Sequence, residues 1–210
     1  MSTNRSLPRT PLALGLLSLL LERPMHPYEM KGLMQERGHD RVIKIKGASV
    51  YDAVERLSRL GFIEPLETSR EGRRPERTVY SLTEAGRDEL LVWLRELISR
   101  PVSEYPQFGA ALAFMAGLGN EKEVIALLQW RVVQLEAEIA AGEKVLNGTL
   151  EQGIPRMFVI EEEYALAMRR AEVDFVRHLI DDLEAGGLWP DAATLEALVA
   201  QQRERGGGTV

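Results

Sequence analysis

The stretch from Ile45 to Gly86 constrains this chain more than any other, because three element signals follow one another there without a gap. Val50, Ala53, Val54, Leu57 and Leu60 recur at helical spacing and define a short amphipathic helix. Gly61 supplies the left-handed residue on which helices end. Phe62-Ile63 opens a strand, Thr68 to Pro75 reads as loop, and Arg77 to Leu82 alternates as a returning strand. Thr83-Glu84 then caps a new helix. A short helix followed by a hairpin with an arginine-loaded tip predicts a winged helix-turn-helix. In that arrangement the helix enters the major groove of DNA and the wing straddles the backbone.

Two upstream segments complete the motif. Thr10-Pro11 pairs a capping side chain with proline at the first helical position, and Leu12 to Glu22 follows as an almost wholly apolar helix. Pro24 ends it. His26-Pro27 starts a second helix running to about Arg37, with Tyr28, Met30, Leu33 and Met34 as its large apolar residues, and Gly38 breaks it.

Leu14-Gly15-Leu16-Leu17, His26-Pro27-Tyr28-Glu29-Met30, Ala48-Ser49-Val50-Tyr51, Gly72-Arg73-Arg74-Pro75 and Tyr80 to Gly86 follow one another in order. Together these blocks resemble the PadR family of bacterial transcriptional regulators. Tyr105-Pro106-Gln107-Phe108 with Ala110-Ala111-Leu112, followed by two long helices, is similar to the branch with a C-terminal helical dimerisation domain. The resemblance covers residues 10 to 190. Two positions depart from the family pattern: Pro27 stands where glycine is common, and Asp52 stands where proline often follows the recognition-helix tyrosine. The resemblance implies a mainly α protein, a winged helix-turn-helix with a two-stranded β wing followed by helices that dimerise.

The charge distribution fits a DNA reader once it is divided. The net charge is −6 over 210 residues. Residues 1–100 carry 17 Lys and Arg against 14 Asp and Glu, a net of +3, while the remainder carries 9 against 18, a net of −9. Phosphate binding depends on the local field, screened over about 8–10 Å, not on the total. Arg41, Lys44, Lys46, Arg70, Arg73, Arg74 and Arg77 flank the recognition helix and the wing tip. The bland alternative is a set of solvated loop charges.

Near residue 100 the chain divides, giving expected domains at 1–100 and 101–190, with a terminal helix and flexible tail at 191–210. Arg100-Pro101 ends the helix begun at Thr83, and a linker runs to Pro106. A short helix is predicted from Phe108 to Leu118, and a long one from Glu121 to Leu150. In the latter, Leu128, Val132, Leu135, Ile139, Gly142 and Leu146 recur at alternating spacings of four and three, the stripe of a coiled-coil-like seam. Gly153-Ile154-Pro155 breaks the chain. A last long helix from Arg156 to Glu184 carries an apolar line of Ala165, Met168, Phe175, Leu179 and Leu183. Asp191 caps a weaker terminal helix ending in Gly206-Gly207-Gly208. Such stripes need a partner, either each other or a second copy, and two winged helices on a twofold axis read a palindrome. Leu128, Leu135, Ile139, Phe175 and Leu179 are the expected dimer contacts; a monomeric intramolecular bundle is the alternative.

Candidate DNA contacts are Lys44, Lys46, Arg73, Arg74 and Arg77 to phosphates. Tyr28, Ser49, Tyr51, Asp52 and Arg59 join them on or beside the face of the helix-turn-helix. Ser49 and Tyr51 match the family motif, Asp52 can accept from a cytosine amine or orient an arginine, and Tyr51 as a core aromatic remains the alternative. Many members of the family respond to small aromatic or amphipathic molecules, and Trp93, Tyr105, Phe108 and Trp130 are candidates for an effector pocket. The competing reading makes them core or interface anchors.

Enzyme readings fail. His26, His39 and His178 show no zinc spacing, and the chain has no cysteine. Glu161-Glu162-Glu163 and Asp181-Asp182 point in different directions on a helix, and neither a phosphate-cradling glycine loop nor a nucleophile elbow is present. No cofactor or metal is expected. The apolar run after Arg5 and Arg9 lacks a small-residue cleavage site before Glu22-Arg23-Pro24, and at about a dozen residues it is too short to span a bilayer. The expectation is a cytoplasmic homodimer with no membrane segment, binding double-stranded DNA as a regulator, a repressor relieved by a small molecule. Alternatives are a winged-helix protein-interaction module and an architectural DNA binder without an effector.

Overall fold

The computed structural model describes residues 9–69, 77–191, 193, 194, 197 and 201. The chain forms two compact units, Met1–Ser103 and Glu104–Val210. Mainly helical, it carries a single two-stranded sheet among the described residues.

In the first unit, α1 (Pro11–Glu22) starts where Thr10 Oγ1 accepts from the Ala13 amide at 3.2 Å. Its Leu16, Leu17, Leu19 and Leu20 are all buried, as an apolar run of that length requires. α2 (Pro27–Glu36) is capped by His26, whose Nδ1 accepts from the Tyr28 amide at 3.0 Å. A 3-10 turn at His39–Arg41 leads to α3 (Gly47–Arg59). This helix buries Val50, Ala53, Val54 and Leu57 in a core shared with α1 and α2.

The wing is β1 (Ile63–Ser69) paired antiparallel with β2 (Arg77–Leu82), from Ile63↔Leu82 to Ser69↔Arg77. Thr68 and Ser69, read as loop from their polarity, are therefore ladder residues; pairing with Thr78 and Arg77 overrides local composition. The register slips between Pro65 and Glu67, leaving Leu66 as the bulged residue, 58% exposed. Pro65 has no N–H to give. It sits opposite Tyr80, whose own N–H and C=O are both engaged by Met25 at 3.0 Å on the other edge, so the missing donor costs the ladder nothing. Met25 thus adds a one-residue bridge to the wing, a contact no sequence pattern announced.

α4 (Glu84–Ser99) is anchored by Thr83, whose Oγ1 accepts from the Gly86 amide at 3.1 Å and donates to the Gly61 carbonyl at 2.8 Å. The Thr83 amide donates to the Phe62 carbonyl at 3.1 Å. That same carbonyl leaves no room for a side chain at Gly86: a Cβ there would lie 2.0 Å from it. Gly61 itself takes φ +81°, closing α3 in the left-handed region. Leu90 and Trp93 of α4 complete the core.

The second unit is built on α6 (Glu121–Glu151) and α7 (Ile160–Glu184). α5 (Gln107–Phe114) runs on through a 3-10 turn at Met115–Leu118 instead of continuing as α-helix, and a 3-10 turn at Arg156–Phe158 precedes α7. Asn120 Oδ1 caps α6 by accepting from the amides of Lys122 and Glu123. Val124 and Leu128 pack with Val176, Ile180 and Leu183, and Phe108, Met115 and Trp189 lean on that cluster. Further along, a Cβ at Gly142 would meet Glu162 at 2.8 Å and Leu166 at 2.9 Å, so the small residue lets the helices approach.

The apolar line of α7 differs from the expected one. Leu166, Val173, Val176, Ile180 and Leu183 are the buried positions, whereas Met168 and Phe175 are half exposed, at 53% and 52%. The helix carries two apolar lines, and the sequence does not say which one α6 covers. Ion pairs flank the seam: Arg131 with Glu172, Arg169 with Glu138, Arg170 with Glu143, and Arg177 with Glu136. The Gly206–Gly208 tail and most of the terminal helix lie outside the described residues. Asp191 does cap, accepting from the Thr194 amide at 2.7 Å.

Candidate nucleic-acid interface

Because α3 buries one face completely, its other face is fixed by geometry. Gly47, Ala48, Tyr51, Asp52, Glu55, Arg56 and Arg59 are all exposed. Tyr51 is 50% exposed, which removes the core-aromatic reading, and its hydroxyl bonds to no described residue. Tyr28, in the first turn of α2, is 73% exposed. Lys44 and Lys46 are exposed on the segment that leads into α3.

Two of the candidate side chains are already engaged. Ser49 Oγ accepts from the Lys46 amide at 3.2 Å and donates to the Lys46 carbonyl at 2.7 Å, so its proton serves the start of the helix. Arg59 pairs with Glu55 at 3.1 Å one turn earlier. Asp52, between them, is exposed and makes no hydrogen bond or ion pair with any described residue.

Lys31 was missed by sequence reasoning. Its Nζ would lie 3.6 Å from a Cβ placed on Gly47, which brings the ammonium to the first turn of α3. The spacing of three from Tyr28 on one helix was the available signal. The N-cap residue, Lys46, makes no side-chain cap bond, so a positive side chain sits beside the positive end of a helix dipole, a combination suited to an anion. Arg73 and Arg74 lie outside the described residues. Arg77 pairs through its backbone with Ser69, and its side chain lies outside them too.

The scaffold behind this face is braced by ion pairs. Arg37 donates to Glu22, its Nη2 at 2.9 Å, and Arg23 pairs with Glu29. The Arg37 guanidinium, by hydrogen bonding first and by charge second, holds the Glu22 carboxyl below the usual carboxylate range; Arg23 does the same to Glu29.

The aromatic candidates fall in different places. Trp93 is 3% exposed within the core of the first unit, with the Arg9 guanidinium 5.9 Å from its ring centroid. In the second unit Phe108 is half-buried beneath Arg131, whose guanidinium lies 3.7 Å over the ring, while Tyr105 and Trp130 are 92% and 61% exposed. Of the expected dimer residues, Leu128 and Leu135 are buried within the chain, Ile139 and Leu179 are half-buried, and Phe175 is exposed. Leu128 and Leu135, 6% and 8% exposed, have little surface left to offer a second copy. Among the described residues no helix is long and apolar enough to cross a membrane.

A tri-helical core with a braced helix-turn-helix and a β wing, followed by a helical unit, defines a winged-helix fold. Residues 16–91 match the model of the transcriptional regulator PadR-like family. Among solved structures, Bacillus subtilis PadR in complex with operator DNA is 20% identical, covers 82% of this chain and 98% of its own, and superposes with a TM-score of 0.63. The same protein in complex with p-coumaric acid is 19% identical over 82% and 98%, TM-score 0.63. The Vibrio cholerae virulence activator AphA is 17% identical over 84% and 99%, TM-score 0.61. At these identities the likeness is one of fold. A comparison with curated protein sequences gave no significant match.

Proposed function

We propose that this protein is a homodimeric, sequence-specific DNA-binding repressor that reads a palindromic operator in the cytoplasm and is released by a small aromatic or amphipathic molecule. In this reading residues 1–100 contact DNA and residues 101–190 dimerise. The observation that carries it is the division of α3 into a fully buried face and a fully exposed one, with Lys31, Lys44 and Lys46 at its entry. A helix held this way is a probe for the major groove, and the lysines supply the phosphate contacts that set its register. Repression and release by an aromatic effector rest on kinship with a fold whose Bacillus subtilis member binds operator DNA and p-coumaric acid. The exposed Trp130 and Tyr105 are the residues such a ligand would quench.

The test is a binding titration of the full chain on a duplex selected from a random library, against an unselected duplex of equal length, across a salt series. The expected result is a preference of about a thousandfold or more for the selected duplex. Lys46→Ala should shallow the slope of log K against log salt by about 1.8, because each of two subunits then neutralises one phosphate fewer. Equal affinity for both duplexes would identify an architectural binder, and no salt-dependent binding at all a protein-interaction module.

A further inference from the structure

We propose that Asp52 is a specificity-determining residue, accepting a hydrogen bond from the N4 amino group of a cytosine in each operator half-site. The inference deepens the DNA-binding reading and rests on it. A carboxylate on a surface that meets phosphates is unfavourable unless something compensates it, since both charges are negative. The α3 face carries two carboxylates, and they are treated differently. Glu55 is neutralised by Arg59 at 3.1 Å. Asp52 has Arg56 one turn away on the same helix, at the spacing that forms ion pairs, yet the two do not pair. Among the described residues its acceptor oxygens are therefore uncommitted; they are exposed, near the middle of the helix, flanked by exposed Tyr51.

Ionised aspartate only accepts hydrogen bonds. In the major groove the donors available to it are exocyclic amines, and a lone carboxylate matches the single N4 donor of cytosine, whereas adenine offers a donor beside an acceptor and is suited to an amide side chain. Guanine and thymine present acceptors at the corresponding edge, which would face the carboxylate with like polarity. One short side chain thus both rewards cytosine and rejects thymine, and the same charge lowers affinity for unrelated DNA.

Selection from a duplex library with a randomised core, performed in parallel with the wild-type chain and D52A, tests this. The wild type should enrich a symmetric motif with a C·G pair at one position of each half-site. D52A should enrich the same motif with that position flat. Replacing C·G by T·A there should weaken wild-type binding about tenfold or more and leave D52A unaffected. Affinity of D52A for unselected duplex should rise. An unchanged motif with D52A, or a changed position where the wild type prefers a base other than cytosine, overturns this inference alone. A wild-type chain that enriched no motif would overturn the sequence-specific reading and this inference with it.

Discussion

At the residue scale, what a side chain is already bonded to separates candidates that look alike in sequence. Ser49 and Tyr51 both carry hydroxyls two positions apart, but Ser49 closes the first turn of α3 while Tyr51 bonds to no described residue. Tyr51→Phe should therefore weaken operator binding by about fivefold, the loss of one hydrogen bond, without moving the thermal midpoint. Filter binding beside a melting curve checks it, and unchanged affinity would remove the hydroxyl from the interface. Glu22 gives a pH-dependent counterpart. Its folded-state carboxyl is more acidic than its ordinary value of 4.5 because Arg37 is hydrogen-bonded to it. Its contribution is thus present above that value and is lost as pH falls through the lower folded value. Both side chains are partly exposed, so solvent screening limits the pair to about 0.5 kcal/mol. Glu22→Gln should lower stability by that amount near neutrality and by nothing well below the carboxylate range. Urea midpoints at the two pH values should converge on acidification.

At the element scale, the joint between α3, the wing and α4 depends on one absent side chain. Phe62, Thr83 and Gly86 meet so closely that a Cβ on Gly86 would strike a backbone carbonyl at 2.0 Å, and a carbonyl held by the Thr83 amide cannot swing away as a methionine tip can. Gly86→Ala should cost about 2–3 kcal/mol, read as a drop in urea midpoint with the denaturant slope preserved. A neutral result would mean that α4 shifts freely against the wing. Several helix starts in this chain were legible from sequence because they depend on local chemistry: Thr10, His26 and Thr83 each accept the amide their position demands. The bulge at Leu66 and the bridge at Met25 were not, because both arise from hydrogen bonds between segments distant in sequence.

For the whole molecule, the question is what covers the second apolar line of α7. Tyr164, Met168 and Phe175 are exposed at helical spacing on that helix, and Leu127 and Trp130 on α6. Exposed residues of this size at regular intervals are the material of an interface between copies. Phe175→Glu should shift the proposed dimer toward monomer in sedimentation while leaving the far-ultraviolet helical signal intact, and should lower affinity for a two-half-site operator. Leu135→Glu is a contrasting variant: its position is buried within the chain, so it should unfold the α6–α7 hairpin instead. If Phe175→Glu stays fully dimeric, the second copy docks elsewhere.

The amino-acid sequence by itself determined the order of elements, the face of α3 that enters the core, the caps, and the separation of a positive half from an acidic one. Each of these follows from residues within a few positions of one another, or from charge counted along the chain. Only the tertiary structure decided that Trp93 belongs to a core, that Arg59 is held by Glu55 while Asp52 meets no partner among the described residues, that Lys31 reaches the start of α3, and which line of α7 meets α6. Periodicity identifies an apolar face, but the partner of that face is chosen by shape and distance in three dimensions, where residues far apart in sequence compete for the same neighbour.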